Sequence, residues 1–402
     1  MRILFADSFD DERVATLESQ GHTCRSDPSL DADRLATAIA DAEILVVRST
    51  KVTAATIEAA TDLGLIIRAG AGVDTIDTDA AANHGIHVCN VPGQNAIAVA
   101  ELAMGFILAL DRNLVDATSD LRAQKWDKAR YTKATGILGQ NLAIVGLGEI
   151  GLALAERGRA FGMTVSAVRK PDRNPDAERR IRTIGIRLVD TLDELVGDAD
   201  VVSIHVPSNA DTKHLVDASF LAKMADGATL INTSRGDVVD ETALIDALDN
   251  RDFRAGLDVF AHEPSSSTAR FDSALAAHPR VVANHHVGAS TDQAQGAVAD
   301  GTLAIIDQYV KGHIVNCVNM AEQSESACVI SVRHLDQVGV LANVFDLLRA
   351  RGLNVATMEN RIFAGAKAAV ATIHLSGVAD DQLLDELKSI DEVLAATARP
   401  KS

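Results

Sequence analysis

The sequence predicts an α/β fold: a doubly wound parallel-sheet domain at the centre, a smaller α/β sheet before it, and a compact α+β module after it. Three observations predict this. From residue 1 to about 310, short apolar runs alternate with helical patterns, as in parallel sheets covered by helices. At the centre, the apolar run 142–145 enters Gly146, Gly148 and Gly151 in G-x-G-x-x-G spacing, and LALAERGRAFG then follows with helical periodicity. After about residue 327 the pattern changes to alternating strands between amphipathic helices.

In chain order, 2–6 reads as a strand, 11–20 as a helix, 44–48 as a strand, 52–60 as a helix, and 65–68 and 86–90 as strands. Residues 96–110 form a long apolar helix, expected to bridge two domains. The later strands of the central unit fall at 164–168, 201–206, 229–232, 255–259 and 281–283, and a helix runs from about 291 to 311. The link NCVNMAEQSESA, 316–327, turns polar at its end and reads as a boundary. Beyond it, CVISVRH is an alternating strand, 340–351 a helix, 353–359 and 368–375 strands, and 380–388 a helix. That β-α-β-β-α order predicts a small ferredoxin-like module.

Composition bounds the partners. The chain has 402 residues, enough for two or three domains, and 47% are apolar. A net charge of -18 and a pI of about 5.0 argue against nucleic acid or an anionic membrane surface. Cys24, Cys89, Cys317 and Cys328 form no CxxC pair and no metal-finger spacing. They are expected to be reduced, mostly buried thiols of a cytoplasmic protein, with no metal site. The N-terminus reads as a strand followed by acids rather than a signal peptide. The longest apolar run, near 102–110, is too short to span a membrane.

The glycine turn has a physical reading. The first glycine permits a tight turn out of the strand. The second lets backbone approach a pyrophosphate, and the third lets helix and strand pack closely, with the helix N-terminus facing phosphate charge. This places a dinucleotide at a Rossmann-type turn. Ligands of open parallel sheets sit beyond the carboxyl ends of strands, and three such ends carry chemistry: NTSRGDVVDE with Arg235, GLDVFAHEP with Asp258 and Glu263, and ANHHVGAST with His285 and His286. Hydride transfer to or from a hydroxy acid needs a group that moves the hydroxyl proton, and histidine titrates near neutrality. A nearby carboxylate would orient that histidine and keep its proton available. An arginine offers a fork matched to a substrate carboxylate.

Six segments stand in one order: RAGAGVDTID, NVPGQNAIAVAE, GLGEIG, NTSRGDVVDE, GLDVFAHEP and HHVGAST. In this the chain resembles, over nearly its whole length, the D-isomer-specific 2-hydroxyacid dehydrogenases, and among them the phosphoglycerate dehydrogenase branch. The resemblance implies a catalytic Arg235, Glu263 and His286, the last because HVGAST matches the family's H-I-G-G-S-T; His285 stands where the family commonly has Pro. It implies a discontinuous, flavodoxin-like substrate domain of residues 1–96 and 291–318, a coenzyme domain of 97–290 and a homodimer or homotetramer. The expected coenzyme, NAD or NADP, would touch Gly146, Gly148, Glu149, Ile150, Gly151, Arg169, Pro207, Thr233, Ser234, Arg235, Asp258, His286, Gly288 and Ala289. The expected substrate contacts are Arg48, Arg68, Gly70, Ala71, Gly72, Val73, Asn90 and Arg235. By the resemblance Arg48, Lys51 and Arg68 look like the phosphate end of the site, Asn90 and Asn95 are expected to bracket the substrate cleft, and Lys128 and Arg130 are expected to assist across a subunit contact. A glyoxylate or hydroxypyruvate reductase and a non-enzymatic coenzyme-binding sensor are the competing readings.

The tail, 326–402, resembles an ACT module, a regulatory amino-acid-binding domain, through VRHLDQVGVLANVF and RGLNVATMEN, with Val338 where the family usually has Pro. The resemblance implies His334, Asp336 and Asn354 as contacts to an effector such as L-serine. One departure concerns the coenzyme. NAD-dependent relatives carry an acid at the end of the second strand of the glycine unit, and here that position is Arg169, followed by Lys170 and Arg173. An arginine there accommodates a 2′-phosphate, so NADP use at least comparable with NAD is expected.

Overall fold

Five parallel strands build the first sheet: β1 (Arg2–Phe5), β2 (Thr23–Ser26), β3 (Ile44–Val47), β4 (Leu65–Arg68) and β5 (His87–Asn90), in the order β2-β1-β3-β4-β5. This is the flavodoxin-like order. The computed structural model describes residues 1–171, 173–264, 268–321 and 326–400. Part of the expected link, 322–325, and the last two residues of the tail lie outside them. Alternate strand residues divide between two cores. Leu4, Leu45, Val47 and Ile66 face one side. Ile3, Phe5, Ile44, Val46 and Ile67 face the other, where Ile305 and Ile306 of the helix Asp292–Val310 join them. The helix after residue 291 therefore packs on the N-terminal sheet. The edge strand β2 was not legible: TCRS carries little apolar pattern, and pairing with β1 makes it a strand. The helices Asp11–Ser19 and Ala32–Ala38 are each started by an aspartate, Asp10 and Asp31, whose side chain accepts from an amide in the first turn.

The second sheet contains β6 (Asn141–Val145), β7 (Thr164–Val168), β8 (Arg187–Val189), β9 (Val201–Ile204), β10 (Thr229–Asn232), β11 (Arg254–Leu257) and β12 (Val281–Ala283). Its order is β12-β11-β10-β9-β6-β7-β8, every neighbouring pair parallel. The order reverses between β6 and β9, so the switch point opens beside the glycine turn. The expected strands at 201–206 and 255–259 end earlier, and their last residues become loop that faces the site. The helix Ala96–Asp111, expected as a bridge, buries Ala100, Ala103, Met104, Phe106 and Ile107 in the core of this sheet.

The chain divides into two units, Met1–Asn319 and Met320–Ser402. The second holds β13 (Cys328–Leu335), β14 (Val355–Ile362), β15 (Ala368–Leu375) and β16 (Val393–Pro400), antiparallel in the order β14-β15-β13-β16, with helices Val340–Ala350 and Asp381–Lys388. The β-α-β-β-α expectation gains a final strand. VLAATARP is rich in alanine, a weak strand former, and its conformation comes from pairing with β13. Among the described residues no helix is long and apolar enough to cross a membrane.

Candidate active site

The three glycines after β6 do three different things. Gly146 has φ +102, and a Cβ there would sit 2.5 Å from the His205 carbonyl oxygen. Gly148 begins the helix Glu149–Ala160, and a Cβ there would meet nothing within 4 Å. A side chain at Gly151 would strike the Gly146 carbonyl, so this glycine sets how closely helix and strand pack. The open face at Gly148 is where backbone can approach a phosphate. Nearby, half-buried His205 pairs through Nε2 with Ser203 Oγ at 2.8 Å, and desolvation lowers its pKa to about 4. Sequence reasoning passed over this neutral histidine.

At the end of β10, Asn232 organises the next turn. Its Oδ1 accepts from Ser234 N at 3.0 Å and Ser234 Oγ at 2.7 Å, and its Nδ2 donates to the Arg235 carbonyl at 2.9 Å. The Thr233 hydroxyl is buried without a partner. An orphaned buried hydroxyl at the carboxyl end of β10, on the ligand side of an open parallel sheet, fits a bound dinucleotide.

Arg235 donates through Nε to Asp74 Oδ2 at 3.0 Å and through Nη1 to the Ser234 carbonyl at 2.8 Å. Asp74 was not foreseen, because 161 residues separate it from Arg235. The loop that carries it wraps two guanidiniums. A side chain at Gly70 would collide with Arg68, and one at Gly72 with Arg235, so each glycine makes room for an arginine. Asn90 Nδ2 ties the loop down by donating to the Ala71 carbonyl at 2.6 Å. Burial, then the charges of Arg235 and Arg48, lower the Arg68 pKa, partly offset by Asp74 and Asp7. Arg68 Nε is buried with no partner. The backbone of the neighbouring loop is fixed by Asp7, another residue sequence reasoning missed: its Oδ2 accepts from the amides of Arg48, Ser49 and Thr50 at 2.6, 3.1 and 3.2 Å.

Asp258 is 1% exposed and holds the turn that carries the histidine. Its carbonyl accepts from His286 N at 2.7 Å, and its carboxylate oxygens accept from Val287 N at 3.0 Å and Gly288 N at 2.8 Å. These bonds support His286 at φ +54, an uncommon conformation for a residue with a side chain. His286 Nδ1 meets Glu263 Oε2 at 2.6 Å, while Glu263 Oε1 accepts from Phe260 N at 2.9 Å. Burial alone would raise the Glu263 carboxyl. The hydrogen bonds from His286 and Phe260, with the charges of His286 and Arg235, outweigh it and hold the carboxyl below its ordinary range. With Nδ1 engaged, Nε2 is left for a proton transfer. His285 is exposed, and its amide donates to Asn284 Oδ1.

The remaining expected residues divide. Arg169 Nε pairs with Asp190 at 3.2 Å and its side chain is 59% exposed. The Arg173 side chain is only 10% exposed, and its guanidinium reaches the carbonyls of Val168 at 3.0 Å and Leu147 at 3.5 Å, beside the glycine turn. Glu149 is paired with Arg180 at 2.8 Å. Arg130 is held within the chain by Asp120 at 2.9 Å and lies over the Tyr131 ring. Asn95 begins the helix Ala96–Asp111 without a side-chain cap bond. The three expected effector contacts lie apart within one chain. His334 and Asp336 sit at the end of β13, but Asn354 precedes β14, which runs parallel to β13 with β15 between them. Asn354 is thus level with the start of β13, roughly 20 Å from the other two at the usual strand rise. One chain cannot bring the three onto one ligand.

Residues 104–288 match the model of the D-isomer specific 2-hydroxyacid dehydrogenase, NAD binding domain. The chain is 39% identical over 299 residues to a hydroxypyruvate reductase of Thermotoga maritima, covering 74% of this chain and 94% of that protein. It is 37% identical over 324 residues to a D-3-phosphoglycerate dehydrogenase of Methanocaldococcus jannaschii, covering 80% of this chain and 60% of that one. Among solved structures it resembles a D-lactate dehydrogenase from Aquifex aeolicus complexed with NAD and lactic acid, at TM-score 0.68 and 26% identity over 80% of this chain and all of that one. An acyclic imino acid reductase in complex with NADPH and D-Arg matches at TM-score 0.70 and 25% identity, over 79% of this chain and all of that one. The chain belongs to the D-isomer-specific 2-hydroxyacid dehydrogenases, and its seven-stranded sheet lies within that family's NAD-binding domain. It spans about 60% of the length of the Methanocaldococcus phosphoglycerate dehydrogenase.

Proposed function

We propose that this chain is a D-3-phosphoglycerate dehydrogenase, oxidising C2 of the phosphorylated hydroxy acid to 3-phosphohydroxypyruvate, the first step of L-serine biosynthesis. The observation that carries this reading is the Arg48–Arg68–Arg235 corner, where Asp74 pairs with Arg235 but, among the described residues, the side chains of Arg48 and Arg68 have no hydrogen-bond or ion-pair partner. Bound NAD or NADP supplies the hydride acceptor, held by the turn at Gly146, Gly148 and Gly151 and by the buried Thr233 hydroxyl. Arg235 pairs its fork with the substrate carboxylate. Arg48 and Arg68 meet the phosphate at the other end. His286 removes the C2 hydroxyl proton through Nε2, and Glu263, kept ionised, stabilises the imidazolium that forms. The test is turnover of a panel of phosphorylated and unphosphorylated 2-hydroxy and 2-oxo acids with both coenzymes. The expected result is a clear preference for 3-phosphoglycerate and 3-phosphohydroxypyruvate.

A second reading, hydroxypyruvate or glyoxylate reductase, is favoured by the near-complete cover of the Thermotoga hydroxypyruvate reductase. A preference for unphosphorylated acids in the same panel selects it. No turnover of any acid would leave a coenzyme-binding sensor. We further propose that the second unit is an ACT-type regulatory module of a cytoplasmic homo-oligomer. Because one chain keeps Asn354 away from His334 and Asp336, an L-serine site that uses all three needs two copies. Calorimetry with serine checks this, and no binding at millimolar concentration overturns it.

A further inference from the structure

The segment after the helix Asp292–Val310 returns along the free edge of β5 and stops just before the second unit. Cys89 and Cys317 face each other there in an isolated antiparallel bridge. The flanking bonds run from Asn90 N to the Asn316 carbonyl at 3.2 Å and from Val318 N to the Val88 carbonyl at 2.8 Å. That pattern makes Cys89 and Cys317 a non-hydrogen-bonded pair, whose Cα atoms lie about 4.5 Å apart in antiparallel sheet. A disulfide accepts roughly 4.4–6.8 Å. Asn319 pins the segment in register, its Oδ1 accepting from Val88 N and its Nδ2 donating to the Ile86 carbonyl, both at 2.8 Å. From this geometry we infer that Cys89 and Cys317 are a dithiol site that closes to a disulfide in the folded protein when a low-molecular-weight disulfide such as oxidised glutathione is present.

The two sulfurs have separate tasks. Cys317 is half-buried, and its Sγ donates to Asn319 Oδ1 at 3.2 Å, so an oxidant meets it first. Cys89 is buried; burial, then the charge and hydrogen bond of Cys317, push its thiol up to about 12. It is therefore a poor target for outside reagents but sits beside its partner. Cys317, as thiolate, attacks one sulfur of RSSR, forming Cys317–S–S–R and releasing RS⁻. Cys89 then loses its proton, attacks the Cys317 sulfur and expels a second RS⁻. Two thiols are oxidised, one RSSR is reduced, and the two protons leave with two RSH. The bond staples the end of the first unit to the strand whose Asn90 holds the Ala71 carbonyl.

The test treats the full-length protein with oxidised glutathione, quenches with acid, alkylates free thiols under denaturing conditions and maps peptides without reduction. The expected product has lost two hydrogens, carries a Cys89–Cys317 cross-linked peptide, and returns to four free thiols with dithiothreitol. In Cys317→Ser, Cys89 should stay free, and in Cys89→Ala, Cys317 should stop at the mixed disulfide. A wild-type protein whose Cys317 remains a glutathione adduct, or whose Cys89 alkylates fully after oxidation, would overturn the inference.

Discussion

Arginines gather at two corners of the first unit, and what their charges already touch differs. Beyond β7, Arg169 pairs with Asp190, and Arg173, whose Nε has no hydrogen-bond partner among the described residues, donates from its other nitrogens to two backbone carbonyls and lies 3.9 Å from Glu178. Beside β4, among the described residues, the side chains of Arg48 and Arg68 have neither hydrogen bond nor ion pair, and Arg68 Nε is buried without a partner. A half-buried cation without an acceptor costs free energy, and the phosphate contact proposed above supplies that acceptor. The β7 corner has part of its charge answered internally, and Asp190 offers only the small benefit of an exposed pair. A cluster of basic residues in a sequence therefore says little until their partners are known.

The largest effect belongs to the proposed proton-transfer residue. His286→Ala should lower kcat by roughly 10²–10⁴, the usual worth of a general acid–base group, while coenzyme still binds by fluorescence titration. His285→Ala is the control and should change little. At the β7 corner the effect is smaller. The wild type should use NADP(H) at least comparably with NAD(H), and Arg169→Asp should move the kcat/KM ratio towards NAD by about tenfold, near the lower bound for a charge-assisted contact. An enzyme that ignores NADP would show that Arg169 does not face the ribose.

The smallest effect is acid stability. Glu263 has a lowered pKa in the folded protein, so its contribution is fully present above the unfolded carboxyl value, about 4.3, and is lost as pH falls through the lower folded value. Thermal melts of wild type and Glu263→Gln should differ by a constant amount near neutrality and converge on acidification. Curves that converge on raising the pH would reverse the sign of this argument.

Much of the site was legible because it lies in short segments at the ends of apolar strands. Gly146, Gly148 and Gly151 could be read from spacing, and Arg235, Glu263 and His286 stood out as strand-end residues whose expected roles came from the family resemblance. What escaped notice is long-range. Asp74 reaches Arg235 only through the fold, and Asp7 holds the Arg48 loop from a distant strand end. The strands β2 and β16 lack strong patterns of their own and become strands by pairing. The separation of Asn354 from His334 follows from a sheet order that no local pattern encodes.

The claim that the β4 corner holds a phosphate is tested most directly by the ratio of kcat/KM for 3-phosphohydroxypyruvate to that for hydroxypyruvate, measured in wild type, Arg48→Ala and Arg68→Ala. Each substitution should lower the ratio by roughly ten- to a hundredfold, the worth of one charge-assisted contact, and leave hydroxypyruvate kinetics close to wild type. An equal loss on both acids would contradict the claim and make these arginines part of the scaffold.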